Sequence, residues 1–81
     1  MDMHLTLIYT ESSFLISKKQ YLSWREVQDE YTDYKTSLGP WSVEEVIGFL
    51  TEEYSTLNPS AHKQVTSFLM DSAIVKSLTF I

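Results

Sequence analysis

Residues 5–9 alternate, with Leu5, Leu7 and Tyr9 on one face and Thr6 and Ile8 on the other. A period of two predicts a half-buried strand. The polar triplet Glu11-Ser12-Ser13 interrupts it, and the short apolar run Phe14-Leu15-Ile16 follows. The chain is therefore expected to open with a β-hairpin. The period then changes. Trp24, Val27, Tyr31, Tyr34 and Leu38 recur at spacings of three and four, which is the stripe of an amphipathic helix. Two starts fit a capping box, in which a Ser side chain and a Glu or Gln three residues on satisfy each other's backbone N–H groups. One is Ser17 with Gln20, with Ile16 and Tyr21 as a hydrophobic staple. The other is Ser23 with Glu26, with Leu22 and Val27 as the staple. The first helix is expected to begin at Lys18 or Trp24 and to end near Ser37, stopped by Gly39 and kept from resuming by Pro40.

The second helix has the clearest start. Ser42 is the N-cap, Glu45 its partner, and Trp41 and Val46 form the staple. Val43, Val46, Ile47, Leu50 and Tyr54 make its apolar face. A third helix is expected with Asn58 as N-cap and Pro59 at its first position, and with Ala61, Val65, Phe68 and Leu69 as its stripe. After Asp71 the helical pattern fades. Ile74, Lys76, Leu78 and Phe80 alternate with Val75, Ser77, Thr79 and Ile81, which suits an extended segment, with a helix running on to about Leu78 as the competitor. The expected fold is α+β: an N-terminal β-hairpin followed by three helices, with or without a C-terminal strand completing a small antiparallel sheet. Residues 1–81 form a single domain on this reading.

Composition narrows the chemistry. Of 81 residues 43% are hydrophobic and eleven are aromatic, enough for a thin core and too much for a disordered chain. There is no cysteine, which removes disulfides, thiolate metal sites and thiol catalysis. The opening Met1-Asp2-Met3-His4 lacks a basic leader pattern, and no apolar run approaches the roughly 20 residues of a membrane span. A cytoplasmic protein is expected. His4 and His62 stand alone, without the spacing of a zinc site. The two glycines, Gly39 and Gly48, are too few for a phosphate-cradling loop. No metal and no cofactor is expected, and no catalytic residue is assigned. The carboxylates sit side by side on faces expected to be exposed, where both members of any acid–base pair would ionise.

Charge is unevenly spread. Glu26, Asp29, Glu30, Asp33, Glu44, Glu45, Glu52 and Glu53 share residues 26–53 with one base, Lys35, so this stretch carries −7 of a net −5. Such a field repels phosphate backbones and favours a basic partner. Capping and the helix dipole account for Glu26, Glu44 and Glu45. Helix-start chemistry does not account for Asp29, Glu30, Asp33, Glu52 and Glu53.

The segment Gly39-Pro40-Trp41-Ser42-Val43-Glu44-Glu45-Val46-Ile47-Gly48-Phe49-Leu50 resembles the opening of a sterile alpha motif domain, where a Trp-Ser/Thr-x-Glu-x-Val pattern starts the first helix. The chain after Leu50 is too short for the rest of that five-helix domain, so the resemblance ends there. The functional expectation comes from the residues alone. It is a small, acidic, non-enzymatic protein-binding module, an inhibitor or regulator of a basic, nucleic-acid-handling protein and of the kind found in phages. It would bind no nucleic acid directly and no membrane. Its partner-binding residues are expected to be Glu26, Asp29, Glu30, Asp33, Tyr31 and Tyr34, with Glu52 and Glu53. The alternative is a structural homodimer or assembly subunit that uses the aromatic helix faces.

Overall fold

The computed structural model of the protein describes residues 4–80. The elements run β1 (His4–Thr10), β2 (Phe14–Ser17), α1 (Trp24–Glu30), β3 (Tyr34–Ser42), α2 (Val43–Glu53), α3 (Ala61–Met70) and β4 (Val75–Ser77). The strands form an antiparallel sheet in the order β3-β1-β2-β4. Among the described residues, no helix is long and apolar enough to cross a membrane.

The α+β class holds, and so does the hairpin, which pairs Leu7 with Ile16 and Tyr9 with Phe14. The pleat sends alternate side chains to opposite faces. Leu5, Leu7 and Ile16 enter the main core, where Val46 and Leu50 of α2 and Val65 and Phe68 of α3 meet them. Each such buried side chain contributes roughly 1.5–3 kcal/mol. Thr6, Ile8 and Ser17 lie on the other face, buried on the side where Val27 of α1 is also buried.

The order of elements differs from a hairpin followed by three helices, because helices and strands interleave. The first helix ends at Glu30, not near Ser37, and residues 34–42 are a strand. Two physical reasons combine. Tyr31, Thr32, Tyr34 and Thr36 favour extended backbone. The open edge of β1 also offers cross-strand partners that bring Leu38 and Trp41 against the core. Tyr34 and Leu38 fit a helical spacing, yet they leave α1 entirely. Gly39 does not cap a helix. It lies within β3 at φ +117°, where the register with β1 slips between Leu5 and Leu7.

Neither expected start of the first helix holds in full. Ser17 ends β2, and its hydroxyl accepts from Lys19 N–H instead of capping a helix. Ser23 is the N-cap of α1 but makes no side-chain cap, and Glu26 accepts from the N–H of Leu22 instead. Leu22 is exposed, so it forms no staple with Val27. The third helix starts from Ser60, whose hydroxyl accepts from Lys63 N–H. Asn58 is tied elsewhere, its N–H to Thr79 O and its C=O to the Thr79 hydroxyl. The capping box of α2 is complete. The C-terminal strand forms, pairing Lys76 with Ile16. Met1, Asp2, Met3 and Ile81 lie outside the described residues, including the place given to Ile81 at the end of the extended segment.

Candidate functional site

Seven residues are too few for α1 to be stable alone. It is held to the sheet by Val27, which is buried, and by the half-buried Tyr31 just after it. At 100° per residue, Trp24 and Gln28 then lie on the flank facing β3. Glu26 and Glu30 fall on the opposite flank, Glu30 toward Lys19. Asp29 points between them, to solvent. Tyr34 is thereby separated from the acidic row, whereas Tyr31 stays beside Tyr21, which donates to Glu30.

Most of the acidic row has internal work. Glu30 forms an ion pair with Lys19 and accepts from the Tyr21 hydroxyl at 3.0 Å. Glu26 takes the Leu22 N–H at 2.6 Å. Asp33 accepts from the Ser12 hydroxyl at 3.1 Å, and its C=O takes the Glu11 N–H. The Asp29 side chain makes no hydrogen bond or ion pair among the described residues. Tyr31 is raised above the ordinary phenol value by burial first, and then by Tyr21 beside it. Glu52 and Glu53 lie at the exposed end of α2, apart from α1. Among the described residues, no three His, Asp or Glu side chains gather as a metal would require.

On the flank facing β3, α1 and the strand enclose a groove of about 590 Å³. Trp24, Val27 and Gln28 form one wall and Tyr34, Ser37 and Pro40 the other, with Leu22 at one end. The Tyr34 hydroxyl shares a hydrogen bond with that of Ser37 at 3.0 Å. Leu22 is 93% exposed and Trp24 56%, and the Arg25 guanidinium stacks over the Trp24 ring. Tyr34 is the one expected site residue that lines this groove. Leu22, Trp24, Gln28, Ser37 and Pro40 were not expected there. Periodicity assigned Trp24 to the core stripe, whereas the helix turns Val27 inward and leaves Trp24 at the rim. The available signal was two large apolar residues flanking the N-cap Ser23 in an otherwise polar stretch.

Charge is polarised across the sheet. Residues 20–57 build α1, β3 and α2 and carry eight acids and two bases. Residues 14–19 and 58–80 build β2, α3 and β4 and carry four bases and one acid. Of those bases, Lys18 lies over the Phe68 ring and Lys76 pairs with Asp71. The lining of the groove holds no acid: Lys35 is its one charged residue, and Arg25 lies over Trp24 at the rim. A second exposed apolar area, around Met70 and Ile74, lies at the end of α3 in the basic half. Comparison with family models, with curated proteins and with solved structures finds no match to this chain.

Proposed function

We propose that the protein is a non-enzymatic protein-binding module. It acts in the cytoplasm as an inhibitor or regulator of a basic, nucleic-acid-handling protein. One observation carries this reading: Leu22 and Trp24 stand exposed beside the groove. Aromatic anchors rimmed by charge are what interfaces use, the apolar residue for affinity and the charge for steering. Asp29 serves a partner best, because its carboxylate makes no bond among the described residues. Glu26, Glu30 and Asp33 add to the field while holding the fold, and Glu52 and Glu53 extend it along α2.

The test is capture of partners from the native host by the tagged protein at low and high salt. Trp24→Ala should reduce capture of a basic partner about tenfold or more, as loss of an aromatic anchor does. Asp29→Lys should reduce it less and flatten its salt dependence. Unchanged capture by both variants would overturn the reading. A second reading is a homodimer or assembly subunit. Met70 and Ile74, exposed on the other side of the molecule, favour it. A concentration-dependent sedimentation coefficient that Met70→Lys abolishes would support it.

A further inference from the structure

The edge of the sheet opposite the groove is left open in the middle and closed at both ends. Along β4, Lys18 N–H donates to Ile74 O and Leu78 N–H to Phe14 O, both at 2.9 Å. Antiparallel pairs alternate, so Ile74, Lys76 and Leu78 turn their main-chain groups toward β2, and Ala73, Val75, Ser77 and Thr79 turn theirs outward. Side chains close the ends of this outer row. The Asp71 carboxylate accepts from Ala73 N–H. The Gln64 carboxamide takes Thr79 N–H and donates to Thr79 O, as a neighbouring peptide group would. Leu57 and Asn58 run antiparallel to the same end, with Leu57 bridged to Phe80, and the chain then leaves the edge through Pro59 to enter α3. Between the two closed ends, the N–H and C=O groups of Val75 and Ser77 have no partner among the described residues.

We propose that Val75 and Ser77 accept a short, extended, acidic segment of another protein, at a site separate from the binding surface proposed above. The charge beside the edge argues for that occupant. α3 and β4 enclose a hollow of about 130 Å³, with Ile16, Phe68 and Leu78 among its walls. Among the described residues, Lys63 and Lys76 are the only charged ones that border it. Lys76 faces Ile16 across the ladder, and Ile16 lies in the core with Phe68, so the Lys76 side chain stands on the α3 face. The Lys18 Nζ lies on the same side, 4.6 Å from the centre of the Phe68 ring. Lys76 is paired with Asp71 at 3.6 Å, whereas Lys63 makes no ion pair among the described residues. The segment's main chain bonds to Val75 and Ser77 as an added strand. Its residue opposite Lys76, an Asp or Glu, then lies on the α3 face and meets Lys63 and Lys76. A second copy of the folded chain has no such strand to offer, because none of the four strands contains an acid.

The probe is a capped synthetic octapeptide alternating Glu and Val, which places all its carboxylates on one side of a strand. Two analogues of the same charge are N-methylated, one at the valines and one at the glutamates. On an added strand the glutamates face the lysines and the valine N–H groups point to β4. Methylation at valine should therefore weaken binding roughly tenfold, and methylation at glutamate should leave it unchanged. In the free protein, amide exchange followed by NMR should find Val75 and Ser77 fast and Lys76 and Leu78 protected. The octapeptide should slow Val75 and Ser77 selectively. Lys63→Glu should weaken binding several-fold at low salt and less at high salt. It keeps the fold, since an acid three residues past the Ser60 N-cap suits a helix start. Trp24→Ala should leave binding unchanged, because the groove lies at the other edge of the sheet. Equal binding of the valine-methylated analogue would overturn strand addition. Equal binding of an octapeptide alternating Lys and Val would overturn the acidic occupant, and no binding of the Glu-Val octapeptide would overturn the proposal outright. Loss of binding with Trp24→Ala would place the peptide in the groove and overturn it too. Protection of Val75 and Ser77 that rises with protein concentration alone would mean that another copy fills the edge, and would likewise overturn it.

Discussion

Gly39 shows how little a residue's identity says before its neighbours are known. Beside Pro40 it has the composition of a helix stop. In the fold it occupies φ +117° inside a strand, and a Cβ there would stand 2.7 Å from the Leu5 carbonyl oxygen. Gly48 has neither constraint. It is exposed within α2, and a Cβ would meet nothing within 4 Å. Gly39→Ala should cost about 1–3 kcal/mol through strain and backbone collision. Gly48→Ala should stabilise by about 0.5–1 kcal/mol by reducing the freedom of the unfolded chain. Urea unfolding of the two variants checks both signs.

The three helices are written differently. In α2 every local signal agrees, and the box between Ser42 and Glu45 closes with bonds of 3.2 and 3.1 Å. In α1 the same grammar is present but the Ser23 hydroxyl caps nothing. Ser42→Ala should therefore cost about 1 kcal/mol. Ser23→Ala should stay within about 0.5 kcal/mol, the range of substitutions away from structural features. Thermal unfolding separates the two. The stripe of α3 was legible in the chain, since Ala61, Val65 and Phe68 are all buried. Its start was not, because the groups that claim Asn58 come from Thr79, far along the chain. The end of α1 was equally hidden. A spacing of three and four through Tyr34 and Leu38 is also compatible with a strand once an edge is available to receive it.

At the level of the whole molecule, aromatic rings join the ends of the chain. Tyr9 and Phe14 stack at 4.2 Å, Tyr54 lies 5.1 Å from Phe14, and Phe80 borders both Phe14 and Tyr54. The hydroxyls of Tyr9 and Tyr54 share a hydrogen bond at 2.6 Å. Burial first, then the hydrogen bond and charge of Tyr54 and the carboxylate of Glu53, raise the Tyr9 phenol well above its ordinary 10.0. Once unfolded, Tyr9 loses its proton near the ordinary value, whereas the folded protein retains it. This contribution to stability is therefore complete below that value and falls as pH rises above it toward the folded value. Urea unfolding should show stability declining above the ordinary phenol range. Tyr9→Phe should flatten that decline while costing about 0.5–1.5 kcal/mol at neutral pH. Tyr31 shifts in the same direction and adds to the slope.

The hairpin, the capped start of α2, the buried stripe of α3 and the acidic stretch were all readable from order and spacing. Each depends on residues within a few positions of one another, through side-chain alternation, a hydroxyl reaching the next turn, or charge that simply adds. The fate of residues 31–42 depended instead on β1, some thirty residues away, whose unpaired edge made extension more favourable than a longer helix. That same pairing left Trp24 at the rim rather than in the core and turned Glu26 and Glu30 away from Tyr34. The groove is a product of packing between segments that share no local pattern, and so it existed only once the sheet was assembled.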